Sequence, residues 1–441
     1  MFLSLQARPE ADIADFFKYE NSQFPPSLSD KGKLRQGTKS GILDCIPGIK
    51  NARTNPERNG ASVIVLDMPA VIHMIKPQKA ETFGDYIMQH LLPFLHAQMN
   101  ESTTRVDAVW DRYPEQSLKN QARAKRLGTT KKRRIRASGN VPIPKGKEWQ
   151  NYLKIGENKE QLFQFLSEEL VNKTQTKNYQ FLSTKGELVL SNKTIDLSCV
   201  NQSNHQERDS RMILHLFHAA TDGHKKAYLR TVDSDVVVLC IHHFLGLKTH
   251  GVKEIHHISN ILGDDASKAI LFFHAYTGCD LTSSFSGIGK KTAWAAWELY
   301  PEITEVMVKL TYDPNSFDYD QTLMEALERW TVLMYSKTCS KLTVNEARQS
   351  LFTNQLKSLD TIPPTKAALY QHVRRTLLVA AYTWHLAPQK SIKVPSPGLY
   401  GWQWNNRLEQ WVPYWTALDD VSKACSILLH CGCKKTCTKK L

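Results

Sequence analysis

Long apolar runs are missing from this 441-residue chain. Nothing in it approaches the roughly 20 consecutive apolar residues that cross a bilayer, which sets membrane-spanning functions aside. A secretory leader is not expected either, because "MFLSLQARPEADIADFF" meets acidic residues too early. No internal repeat is found. Cysteine is sparse: of nine, six (Cys45, Cys199, Cys240, Cys279, Cys339, Cys425) are scattered, several inside apolar runs. They read as reduced core thiols of an intracellular protein. Acid is short relative to base, with a net charge of +14, which suits an anionic polymer as partner. What is present is ordinary for a soluble globular protein: 41% hydrophobic and 23% charged residues, with length for two or three domains.

Strand and helix patterns alternate in the first two thirds. "ASVIVLDMPA" reads as a strand ending in Asp67, "KAETFGDYIMQHLLPFLHAQMN" as a helix, and "RVDAVWDRYP" as a strand ending in Asp111. "NKEQLFQFLSEELVNK" and "HQERDSRMILHLFHAATDG" read as helices, "GELVLS" as a strand, and "KAYLRTVDSDVVVLCI" as a return to strand. The alternation predicts an α/β fold with a central parallel sheet flanked by helices. Residues 1–55 read as an arm, 56–300 as the α/β domain, and 301–441 as a helical extension. The extension carries an irregular Pro- and Trp-rich segment, "PSPGLYGWQWNNRLEQWVPYW", and the short tail "CGCKKTC" with Cys431, Cys433 and Cys437.

Paired acids stand out. Asp233 and Asp235 abut an apolar run, where like charges two residues apart repel unless a cation intervenes. In open α/β sheets, ligands bind at the carboxyl ends of strands, where Asp67, Asp111 and this pair all fall. Glu207 and Asp209 sit in the first turn of the helix "HQERDSRMILHLFH", where the macrodipole favours acids with or without a function. Taken singly, Asp67 is better explained as a cap and Asp111 as a turn acid. Together, the acids form the all-oxygen set that Mg²⁺ or Mn²⁺ prefers. His242 and His243 follow the pair, and His256 and His257 come soon after; alternating strand faces would turn one of each pair inward, a structural role.

Two features suit nucleic acid. "GIGKKTA" offers Gly287 and Gly289 for close backbone approach, then Lys290, Lys291 and Thr292 at a helix start, as in a helix-hairpin-helix over 278–299 that grips phosphate. The alternative is an ordinary turn between helices. Asp280, just upstream, is a seventh acid, or an N-cap. The insert 116–150 holds Lys119, Arg123, Lys125, Arg126, Lys131, Lys132, Arg133, Arg134 and Arg136. This basic run reads as a nucleic-acid contact and, at "KKRRIR", as a nuclear import signal.

The order of these motifs resembles the flap-endonuclease superfamily of structure-specific nucleases, with its PIN-like (Rossmann-like) catalytic domain, over about residues 60–300. Asp67 and Asp111 resemble its two early acids. Glu207 and Asp209 resemble its Glu-X-Glu pair, Asp233 and Asp235 its Asp-X-Asp, and Asp280 the Asp of its Gly-X-Asp. Flanking segments are similar to a multi-copy group of animal proteins of this type, possessing a tesmin-like Cys-rich tail. The resemblance implies two-metal hydrolysis of phosphodiester bonds in structured or flapped nucleic acid, DNA before RNA, with the basic insert as a gateway over the site. Departures are visible: Arg208 stands between the paired acids, and the second of them is Asp. Three tail cysteines leave a zinc site incomplete without His430 or another chain. A binding protein that keeps the fold without catalysis is the alternative, with Arg208 as its best support.

Overall fold

The computed structural model describes residues 16–47, 60–113, 117–118, 134–255, 262–355, 358 and 360–418. Its centre is a six-stranded sheet of β1 (Val63–Asp67), β2 (Arg105–Val109), β3 (Gln180–Lys185), β4 (Leu188–Ser191), β5 (Lys226–Arg230) and β6 (Glu254–Ile255). The spatial order is β4-β3-β2-β1-β5-β6. Only the β3–β4 pair is antiparallel; the other four pairings are parallel. Every residue of β1 and β2 is buried, as expected for central parallel strands covered on both faces.

The chain builds the sheet outward from β1 in both directions. It goes first through β2 to β3, then returns to add β5 and β6 on the far side. The reversal lies between β1 and β5. That is the switch point where an α/β sheet opens a crevice at its carboxyl edge, an arrangement compatible with a Rossmann-like core.

Helices α1 (Met68–Met74), α2 (Gly146–Lys154) and α3 (Gly156–Thr174) belong to the first half. They are followed by α4 (Arg208–Thr221), α5 (Ser234–Thr249), α6 (Asp264–Tyr276) and α7 (Lys290–Leu299). Beyond these come α8 (Ile303–Tyr312), α9 (Gln321–Tyr335), α10 (Val344–Gln355) and α11 (Lys366–Val379). One apolar cluster runs without a break across residue 300, from Leu28 and Ile42 through Val63, Met212 and Phe273 to Leu377 and Trp402. Tyr86, Trp149 and Leu166 belong to a second cluster, with Ile64 and Leu66 of β1.

Three sequence expectations need correction. The segment after Asp233 is helix α5, not strand, and Asp233 is its N-cap. Its apolar residues are buried nearly all round, and a buried helix and a buried strand leave the same hydrophobic signature over a short run. For the same reason His242 and His243 both point inward: His242 meets His385, and His243 donates to the Trp384 carbonyl. The Trp-rich segment is also more regular than expected, pairing Trp402–Asn405 with Gln410–Pro413 as an antiparallel hairpin. His256 and His257 lie outside the described residues.

A polar latch fixes α4 against the sheet. Arg105 grips Asp107 through two bonds, Nε to Oδ1 at 2.7 Å and Nη2 to Oδ2 at 2.8 Å. His215 of α4 bonds the same Asp107 at 2.7 Å. Burial opposes the charge on Asp107, but Arg105 and His215 outweigh it and hold its carboxyl well below the usual range. The helix whose first turn carries Arg208 and Asp209 is thereby locked in register.

Candidate active site

Three helix N-termini face the crevice. Asp67 ends β1 and caps α1, accepting from the Ala70 amide at 3.1 Å. Asp233 caps α5, accepting from the Asp235 amide at 3.1 Å. The N-cap of α4, Glu207, makes no side-chain cap bond; Asp111, two residues beyond β2, accepts the Arg208 amide at 3.3 Å instead. The positive ends of three helices therefore converge, which favours the acids gathered there.

At the centre sits Arg208. Its guanidinium lies 2.8 Å from Asp67, 3.1 Å from Asp111, 3.1 Å from Asp233 and 3.6 Å from Asp209. Burial opposes its charge, yet Asp209, Asp111, Asp67 and Asp233 together hold its pKa well above the ordinary value. Beside it, the Lys39 ammonium bridges Asp233 at 2.8 Å, Asp235 at 3.1 Å and Asp280 at 3.4 Å. Burial likewise opposes Lys39, and Asp235, Asp233 and Asp280 raise it strongly. Among the described residues, six carboxylates thus share two cations. Asp67, Asp209 and Asp235 form the buried floor, while Asp111, Asp233 and Asp280 stand partly exposed at the mouth.

Asp235 is held from both sides. Lys39 takes Oδ2, and His274 of α6 lies 2.9 Å from Oδ1. Burial pushes His274 down to about 4, with Lys290 also lowering it against Asp235, so near neutral pH its ring is uncharged. Its Nε2–H then donates to the carboxylate.

Lys39 arrives on the N-terminal arm. Leu28 and Ile42 anchor that arm in the core. The Ser286 amide donates to Ser27 at 2.7 Å, and the Ser284 amide to Arg35 at 2.9 Å. Close approach is needed here: a Cβ on Gly37 would lie 2.8 Å from that of Ser284. The loop bearing Asp280 is equally constrained. Gly278 has φ +107°, and a side chain there would meet the Ser284 backbone at 2.8 Å.

Not every residue expected at the site reaches it. Glu207 lines a neighbouring cleft of about 410 Å³ with Leu281, Leu378 and Trp411. Lys290 is not offered to an anion: its buried ammonium donates to the carbonyls of His274 (2.6 Å) and Gly278 (2.8 Å) and to the Thr277 hydroxyl (2.8 Å). It satisfies carbonyls at the end of α6, where a cation complements the helix dipole. Burial pushes it down to about 7. Lys291 is exposed but paired with Asp44 of the arm at 3.1 Å. Gly287 and Gly289 are exposed and Thr292 half-buried in the same turn. Arg134 is exposed and pairs with Glu157 at 2.7 Å. Lys119, Arg123, Lys125, Arg126, Lys131, Lys132 and Arg133 lie outside the described residues, as do Cys431, Cys433 and Cys437.

The donor set fits a hard divalent cation. One carboxylate oxygen each from Asp209, Asp233 and Asp235 lies within 4.8 Å of the others, with no nitrogen or sulfur ligand among them. Lys39 and His274 were missed from sequence: Lys39 stands in an arm without periodicity, and His274 reads as one more residue of an apolar helix. Searches against family models and against curated proteins find no match for this chain.

Proposed function

We propose that this chain is a divalent-metal-dependent nuclease of PIN-like, flap-endonuclease type, hydrolysing phosphodiester bonds in structured or flapped nucleic acid. The observation that carries the reading is the convergence of Asp67, Asp111, Asp209, Asp233, Asp235 and Asp280 at the carboxyl edge beside the switch point. Asp209, Asp233 and Asp235 would hold Mg²⁺ or Mn²⁺ most directly, with Asp67, Asp111 and Asp280 around them. Bound divalent ions supply water activation and neutralise a leaving oxygen. The chain's own residues orient that centre: His274 fixes Asp235, Thr231 donates to Asp67 at 2.9 Å, and the α5 cap fixes Asp233. The net charge of +14 supports a polyanionic substrate; the family resemblance favours DNA over RNA, and "KKRRIR" favours the nucleus as the compartment. Segment 278–299 would contact the backbone of that substrate as a helix-hairpin-helix, through its exposed glycines and Lys291.

A metal-titrated cleavage assay on flaps, hairpins and single strands tests this reading. Cleavage that requires Mg²⁺ or Mn²⁺ and disappears in the Asp233→Asn/Asp235→Asn double variant is expected. A second reading rests on Arg208, whose guanidinium already bridges four of the acids. On that reading the chain binds nucleic acid without cutting it, and the same assay gives salt-sensitive binding with no product at any metal concentration.

A further inference from the structure

Two arginines of this fold treat carboxylates differently. Arg105 makes the fork that arginine prefers, two short bonds to the two oxygens of buried Asp107. Arg208 makes no such fork with any one floor carboxylate. It spreads single contacts over Asp67, Asp209 and Asp233, and approaches only Asp111 with one nitrogen at 3.1 and 3.3 Å. Its Nε lies 2.8 Å from Asp67 Oδ1, yet no hydrogen bond forms there. Arg208 hydrogen-bonds only the acids at the mouth, Asp111 and Asp233, and meets Asp67 and Asp209 of the floor by charge. Lys39 likewise spreads its charge, with one ammonium distributed over three carboxylates and its side chain partly open to solvent.

The oxygens these cations engage belong to the acids best placed for a metal. Lys39 contacts Asp233 and Asp235, and Arg208 contacts Asp209 and Asp233. A divalent ion at those oxygens and the side-chain cations are therefore alternatives, or at best repel one another at a few Å.

We infer that Lys39 and Arg208 are built-in counter-ions that compete with divalent metal for the same carboxylates, and so set the metal concentration at which the centre fills. This rests on the metal-dependent reading above. The arm carrying Lys39 is then part of the site: it holds the acids together without metal, and its lysine must give way when metal enters.

The test is Mn²⁺ binding to full-length, metal-free protein by titration calorimetry, with thermal unfolding measured over the same Mn²⁺ series. Lys39→Met should bind Mn²⁺ at least about tenfold more tightly than wild type, the factor expected from removing one nearby charge. Lys39→Arg, which keeps the charge, should bind like wild type. The Met variant should unfold at lower temperature without metal and regain the difference on adding Mn²⁺. Equal or weaker Mn²⁺ binding by Lys39→Met overturns the inference. So does a lost stability that Mn²⁺ does not restore, since the lysine would then be a structural fixture. The two ideas separate cleanly. If wild type binds Mn²⁺, the Asp233→Asn/Asp235→Asn variant does not, and Lys39→Met matches wild type, only the competition fails. If the Asn variant binds as wild type does, the metal centre itself is wrong.

Discussion

Lys39 and Asp235 stand 196 positions apart in the chain and 3.1 Å apart at Nζ and Oδ2. That contact ties the N-terminal arm to the helix that follows β5, at the edge where Asp67, Asp111 and Asp233 collect. The arm is therefore a component of the candidate active site.

Gly278 is the tightest point of the loop that delivers Asp280. Its φ of +107° is strained for any other residue, and an added Cβ would collide with the Ser284 backbone. Gly278→Ala should lower stability by about 1–3 kcal/mol. Urea unfolding measures this, and an unchanged midpoint would contradict it.

The Asp107 latch should be costly to open. Asp107→Asn takes from the fully buried Arg105 guanidinium its closest charged partner and leaves it only the half-exposed Asp222 at 3.4 Å. A loss of about 3–5 kcal/mol is expected, the cost typical of breaking a buried pair from one side. Since the latch sets the position of α4, metal binding should weaken in the same variant even at temperatures where it stays folded.

Acid should destabilise the protein in two stages. Burial, the largest cause in each case, pushes His205 and His243 down to about 4 and His372 down to about 3. These groups are neutral when folded but take up protons below about 6.5 when unfolded. Stability contributed by their burial as neutral rings is thus full above that pH and falls as pH drops from about 6.5 toward 4. Asp107 has a depressed pKa, so its contribution is present above about 3.9 and is lost only below it. Thermal unfolding from pH 7.5 to 3.5 checks this, and a melting temperature flat between pH 7 and 5 would contradict it.

Much of this was legible in the sequence, for identifiable reasons. Asp67 and Asp111 were readable because each follows a short apolar strand, and a strand's carboxyl end fixes where the next residue goes. Asp233 was placed correctly on the wrong element: Val236 to Ile241 is apolar in every direction, so periodicity could not separate strand from helix. Lys290 was misread because a Gly-X-Gly-Lys turn looks the same whether the lysine faces solvent or the carbonyl end of the preceding helix. Arg208 was visible as an oddity between two acids, but that its guanidinium would reach Asp67, Asp111 and Asp233 depends on how α4 docks. Lys39 lay beyond sequence reasoning altogether, since no local pattern says that an arm will enter a site formed by residues nearly two hundred positions away.

The central claim is that the gathered carboxylates form a metal-dependent hydrolytic centre. Its most direct test is cleavage of a 5′-labelled flap substrate by wild type and by Asp233→Asn/Asp235→Asn across a Mn²⁺ titration. The account predicts product that rises with Mn²⁺ for wild type and a fall of at least about a hundredfold for the double variant. Absence of product from wild type at every Mn²⁺ concentration, with binding to the same substrate intact, would contradict it.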